Sequence, residues 1–447
     1  MGRGYTVEES VEKYLVSLSS AAGSCKTGLL IGQLQSSAQK DFVVLAVKTP
    51  HRESEGGSDS RRVSGPLDDI DADWVAEHAR QVSRMLPGGM NVLGLFLITP
   101  PELSKEAQNT LKRLIFAVDK CISKSRLWDL SEDDVTNRVT LHICSRTRKA
   151  ICKTYDVKDP KCSAQPADWK YLSCISSSWP VLTCSVKVDL QISVTESSSE
   201  KCIKDGLRRW AKQIEAGLCL INGRPASDDS ELLSGSKKSM KTSQQTFRAQ
   251  ILVSEEDPVQ RCSAVVQASS GSVHVRGTVH CRAYIHTNKP RTRHAAQAIK
   301  RDVVNTVSNR VEMLLEDLQM NEGGPASEQQ DLPRRVFAPL PGSGLTVCDY
   351  MFPDETAADV AERLKEMLDW ESAEEDIDTR VESPACHSAS VLEADEGRDD
   401  GATQDVPTES MTEPVKKQKA SQYYAGVAVA AAVALLATAT SLLYLNE

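Results

Sequence analysis

Gly28-Leu29-Leu30-Ile31-Gly32 and, further along, Val92-Leu93-Gly94-Leu95-Phe96-Leu97-Ile98-Thr99-Pro100 are the two stretches on which the fold turns. The first lies in a run from Lys26 to Ile31 that reads, with Asp41 to Val47, as a β-hairpin. The second belongs to an unbroken apolar run, Asn91 to Thr99, and reads as a strand buried on both faces. Between them Trp74, Val75, Ala79, Val82 and Leu86 recur at helical spacing until Pro87-Gly88-Gly89 stop the helix. Pro100 and Pro101 open another helix, with Leu103, Ala107, Leu111, Leu114, Val118 and Ile122 on one face. Val139 to Cys144 and Ala150 to Val157 read as a second hairpin. The order strand, strand, helix, buried strand, helix, strand, strand makes residues 1–180 an α/β domain, with His51 to Asp69 as a polar loop insertion.

A second mixed α/β domain is expected over residues 181–370, which makes the chain α+β in class. Val181 to Val194 alternates as a strand does, and Ile203, Leu207, Trp210 and Ile214 mark a helix. Further strands are expected near Phe247 to Val253, Ser263 to Gln267 and Val273 to Ile285. A long helix from about Thr292 to Leu318 buries Ile299, Val303, Val307, Val311, Leu314 and Leu318. A strand near Val336 and a helix holding Val360, Leu364 and Leu368 complete the domain.

The chain has 447 residues, 40% hydrophobic, with 53 basic and 62 acidic side chains and a formal net charge of -9. That balance argues against nucleic acid as a partner. From Glu371 to Glu413 there are fourteen acidic residues against two basic ones, so residues 371–421 read as a disordered acidic tether. The 13 cysteines lack a Cys-X-X-Cys pair, and no apolar signal region or glycosylation sequon accompanies them. They read as reduced, mostly buried thiols. No Gly-X-Gly-X-X-Gly or P-loop sequence occurs, and no cofactor is expected.

Residues 423–445 carry no charge. As a helix they would span about 34 Å, enough for a hydrocarbon core of about 30 Å. Tyr423, Tyr424 and Tyr444 sit at the two ends, where aromatic belts form, and Leu435, Leu436, Leu442 and Leu443 supply the apolar body. Lys416, Lys417 and Lys419 precede the segment and place the bulk of the chain in the cytosol. The expectation is a single-pass tail anchor, and its alanine-rich composition suits a thin bilayer such as the endoplasmic reticulum.

The two opening stretches together resemble the MPN domain, the fold of the JAMM zinc deubiquitinases. Active members place a glutamate before the first stretch and Gly-Trp-Tyr-His-Ser-His-Pro at the second. By that resemblance Cys25 stands at the glutamate position, Leu97 and Thr99 at the two histidine ligands, Ala107 at the serine and Thr110 at the aspartate. Zinc needs N, O or S lone pairs at fixed distances, and Leu and Ala have none. No metal and no hydrolase activity are therefore expected.

Several longer blocks extend the likeness. Arg84-Met85-Leu86-Pro87-Gly88-Gly89, Pro166-Ala167-Asp168-Trp169-Lys170-Tyr171, Leu220-Ile221-Asn222-Gly223, Cys281-Arg282-Ala283-Tyr284-Ile285-His286 and Pro339-Leu340-Pro341-Gly342-Ser343 resemble the Odr-four family of odorant-receptor-trafficking proteins. The resemblance implies a non-enzymatic, endoplasmic-reticulum-anchored adaptor. It implies a heterodimer, through MPN-like domains, with the cysteine protease specific for the ubiquitin-fold modifier, and G-protein-coupled receptors as clients. The alternative it leaves open is a membrane chaperone acting directly on receptor transmembrane segments.

Other clusters have plainer readings. His274, His280 and His286 fit alternating strand positions better than a metal site. Trp169, Trp179 and Trp210 read as packing residues. Lys289, Arg291, Arg293, Lys300 and Arg301 crowd the start of the long helix, where positive charge opposes the helix dipole and asks for compensation.

Overall fold

The computed structural model describes residues 2–20, 25–35, 39–52, 67, 70–131, 134–194, 199–226, 230–233, 244–253, 271–320, 330–383 and 388–393. Two compact units divide the chain, Met1–Ala394 and Asp395–Glu447. The described elements all lie in the first.

The first half contains β1 (Gly4–Glu8), α1 (Glu9–Ser20), β2 (Lys26–Gln33), β3 (Lys40–Lys48), α2 (Ala72–Arg84), β4 (Asn91–Thr99), α3 (Ser104–Ser125), β5 (Asn137–Cys144), β6 (Ala150–Asp156), β7 (Gln165–Pro166) and β8 (Asp168–Leu172). Its strands form one mixed sheet in the order β7-β6-β5-β4-β2-β3-β1-β8. β4 is central, antiparallel to β2 and parallel to β5. Helices cover both faces, so β4 has no wet side and its sequence is continuously apolar. Phe96 and Ile98 pack with Val11 and Leu15 of α1. Leu95 and Leu97 pack with α2 and α3 on the other face.

The second half contains β9 (Val181–Val194), α4 (Ser199–Ala216), β10 (Leu218–Ile221), β11 (Arg224–Pro225), β12 (Thr246–Leu252), β13 (Gly271–Tyr284), α5 (Thr292–Met320), β14 (Gln330–Asp331), β15 (Arg334–Pro339), β16 (Thr346–Met351), α6 (Ala357–Leu368) and β17 (Ser388–Glu393). The second sheet runs β11-β10-β12-β9-β13-β17-β14. β9 and β13 pair antiparallel from Gly271↔Val194 to Tyr284↔Val181. Their alternating burial puts one face against α4 and α5, where Ile203, Leu207, Ile299, Val303 and Val307 are buried.

Two expectations need correction. Residues 181–370 do not share one core. The β15-β16 pair and α6 pack with β2, β4, α2 and α3, through Val336, Val347, Val360, Leu364 and Leu368. Helix α6 starts from a capping box between Thr356 and Asp359 and lies against α2, where His78 Nε2 meets the Met367 carbonyl at 2.9 Å. Burying its apolar stripe contributes about 1.5–3 kcal/mol per leucine, which outweighs nearness in sequence to α5. The acidic tether also begins later than residue 371. Ile377 is 6% exposed, Glu382 is 4% exposed, and β17 pairs with β13. The strand expected at Ser263 to Gln267 lies outside the described residues, as do Lys416, Lys417, Lys419 and residues 423–445. Among the described residues no helix is long and apolar enough to cross a membrane.

Candidate functional site

The positions matched to hydrolase ligands lie at one end of β2, β4 and α3. Leu97 and Ala107 are each 0% exposed and share one apolar cluster, and Cys25 packs against its edge. Thr110 is half-buried on α3. Thr99 is buried, and its Oγ1 lies 2.9 Å from His142 Nε2 on the neighbouring strand β5. Burial pushes the Cys25 thiol up and pulls the His142 imidazole down, so both sit there uncharged. The structure thus sets Leu97 and Ala107 in one apolar cluster with half-buried Cys25 at its edge, and among the described residues no set of donors there could hold a cation. His142 was not singled out in the sequence, because its partner Thr99 is 43 positions away and only the β4-β5 register joins them.

The three histidines on and just beyond β13 are separated by their environments. His274 and His280 are on β13, where His280 Nδ1 lies 3.2 Å from Ser185 Oγ. His286 stacks on Phe42 at 5.2 Å between ring centroids. Among the described residues no group of three or more His, Cys, Asp or Glu side chains could hold a metal ion. Trp179, 0% exposed, packs with Phe42, Tyr284, Leu340 and Leu345 in the small core between the sheets. Trp169 tilts against Tyr5, and Trp210 lies beside the second core.

Two of the blocks that carried the family resemblance, Arg84 to Gly89 and Cys281 to His286, meet at the seam between the two sheets. Gly88 N donates to Arg282 O at 2.8 Å, and Tyr284 N donates to Gly88 O at 2.9 Å. A Cβ on Gly88 would stand 2.5 Å from the Ala298 carbonyl oxygen, so only glycine lets the loop approach α5. Gly89 has φ +82°. Gln33 completes the joint, donating from Nε2 to Tyr284 O at 2.7 Å and accepting from His286 N at 2.6 Å. Behind it lies a buried ionic network. Arg335 donates from Nη1 and Nη2 to Asp302 at 2.7 and 2.9 Å, and Glu382 accepts from Arg310 Nη2, from Arg335 N at 2.7 Å and from His280 N at 2.6 Å.

Beside this seam α2, α3 and α5 enclose a polar cleft of about 240 Å³. At one end Arg84 pairs with Glu312 and Glu316. At the other, Arg301 makes two hydrogen bonds to Asp134, at 2.7 and 2.8 Å. Against the cost of burial, the Arg301 guanidinium and the Ser131 donors hold the Asp134 carboxyl down to about 2. Of the basic residues noted near the start of α5, Lys300 Nζ donates to the Glu215 carbonyl near the C-terminal end of α4 at 2.6 Å, and Arg301 faces the cleft.

A profile of the ODR4-like family, described as odorant response abnormal 4-like, matches residues 28–379. The protein odr-4 homolog of Mus musculus is 46% identical over 460 residues, covering 100% of both chains. That of Homo sapiens is 43% identical over 466 residues with the same coverage. The odorant response abnormal protein 4 of Caenorhabditis elegans is 21% identical, over 75% of this chain and 70% of that one. Among solved structures, UfSP from C. elegans is similar at a TM-score of 0.39 and 11% identity, over 83% of this chain and 57% of that one.

Proposed function

The chain belongs to the ODR4-like family, and from that premise we propose that it is a non-enzymatic, tail-anchored adaptor of the endoplasmic reticulum. In this reading the first sheet and its helices form an MPN-like pseudoenzyme domain that binds the ubiquitin-fold-modifier-specific cysteine protease. Residues 423–445 hold the pair at the membrane, where it supports folding or trafficking of a subset of G-protein-coupled receptors. Tethering works by raising the protease's effective concentration near membrane substrates.

One observation carries the non-enzymatic part. Leu97 and Ala107, at positions where an MPN hydrolase needs a zinc ligand and an oxyanion donor, are each 0% exposed inside an apolar cluster. A domain that keeps a hydrolase-like frame while filling its reaction site with aliphatic side chains retains surfaces for binding and loses the chemistry.

The test is co-purification and membrane fractionation of the protease with the full chain and with a chain lacking residues 423–445. The expected result is a complex in both cases, membrane-bound only in the first. A protease that does not co-purify, or that stays equally on membranes after the deletion, overturns the adaptor reading. Crosslinks to receptors confined to residues 423–445 would then favour the direct chaperone.

A further inference from the structure

We propose that Arg126, Arg138 and Arg301 form a receptor for a phosphate-class oxyanion in the cleft beside the seam. Three elements deliver these guanidiniums to one concave wall. Arg126 follows the last turn of α3 in extended conformation, Arg138 opens β5, and Arg301 is on α5. Two of the three are pinned. Arg138 donates to the Val135 carbonyl at 2.8 Å and lies 3.3 Å from Asp119. Arg301 is gripped by Asp134 and stacks over the Trp128 ring, 5.4 Å from its centroid.

Arg126 is different. It is half-buried, and among the described residues no carboxylate lies within ion-pairing distance of it. Burial first, then the like charge of Arg138, with Arg301 adding to it, pulls its guanidinium below the ordinary value against Asp119 and Asp134. A guanidinium does not relieve such a setting by giving up its proton, and a bound anion would offset the like charges. Among the described residues, the buried Nε of Arg301 has no hydrogen-bond partner. Beside the three guanidiniums stand the carboxylates of Asp119 and Asp134, which pair with Arg138 and Arg301, and that of Glu215, in electrostatic range of Arg301, while among the described residues none pairs with Arg126. That donor fork matches a tetrahedral oxyanion carrying several acceptors. The cleft, of about 240 Å³, has room for more than a single phosphate group. This inference is independent of the adaptor reading.

The chemistry is shared by soluble phosphorylated molecules and by lipid headgroups, and two arms separate them. The full chain in detergent micelles is titrated with pyrophosphate, and the full chain in vesicles is compared with and without phosphatidylinositol phosphate, Trp fluorescence reporting on Trp128. The expected result is a saturable change in one arm, weakened at least about tenfold in Arg126→Gln and unchanged in the exposed control Lys105→Gln. The responding arm names the source. Arg126→Lys, which keeps the charge and loses the fork, should fall between wild type and Arg126→Gln, and circular dichroism verifies its fold. No saturable change in either arm, or one that Arg126→Gln leaves intact, overturns the proposal.

Discussion

Glu382 and Arg310, 72 positions apart, form an ion pair in which their side chains are 1% and 2% exposed. The pair fastens the start of the acidic C-terminal stretch to α5, and the same carboxylate accepts the backbone N–H groups of His280 and Arg335. Removing one member of such a pair costs more than the pair contributes, because the other charge stays buried.

Glu382→Gln should accordingly destabilise the folded unit by about 3–5 kcal/mol. Glu374→Gln, in an exposed stretch of the same acidic run, should change stability by less than about 0.5 kcal/mol. Urea unfolding of the two variants checks the contrast. Equal midpoints would show that the buried carboxylate has no special weight.

Stability should fall with acid well above the carboxylate range. His286 is 5% exposed, and burial, with a smaller push from His294, depresses its imidazole to about 4. An unfolded histidine titrates near 6.5. Between those values the unfolded chain takes a proton that the folded chain refuses, so folding is penalised as pH drops from about 6.5 to about 4, by roughly 3 kcal/mol at the lower end. Burial shifts His78, His142 and His280 in the same direction. The variant His286→Gln should flatten part of this slope. Unfolding midpoints at several pH values between 7 and 4 measure it, and an unchanged slope would count against the burial argument.

The seam predicts an asymmetry between two glycines. Gly88→Ala would bring Cβ within 2.5 Å of the Ala298 carbonyl oxygen and 2.9 Å of the Asp302 Cβ, neither at the end of a flexible chain. The cost should be about 1–3 kcal/mol, with faster proteolysis between the two sheets. Gly4→Ala meets only the Lys40 Cγ, at 4.0 Å, and should be tolerated.

These features differ in how far the sequence announces them. β4 was legible because a strand covered on both faces must be apolar throughout, and α2, α3 and α5 because one-sided burial repeats every three to four residues. The placement of β15, β16 and α6 was not. Their hydrophobic pattern fits any apolar surface, and the surface that accepted them belongs to residues far upstream. Glu382 was hidden in a run of carboxylates, since nothing local says which one will go inside. The cleft was illegible for the same reason, because its charges come from the end of α3, the start of β5 and the middle of α5, and only the fold brings them together.

The positions that the MPN resemblance aligns with hydrolase ligands allow a last test of the proposed non-enzymatic role. If the site were latent, Leu97→His with Thr99→His would restore zinc binding. Leu97 packs in an apolar core at 0% exposure, and Ala107 and Thr110 still supply no serine and no carboxylate. An imidazole at residue 97 would have to stay neutral and find a hydrogen bond where its neighbours are aliphatic, at a cost of about 1–3 kcal/mol. Replacing Thr99 also removes the partner of the His142 Nε2, whose Nδ1 is already buried without one. The double variant should therefore melt lower, bind less than one zinc per chain by atomic emission, and show no isopeptidase activity. The unaltered chain should keep its melting temperature when EDTA is added. Stoichiometric zinc in the unaltered protein, with cleavage lost on chelation, would overturn the proposed non-enzymatic role of this domain.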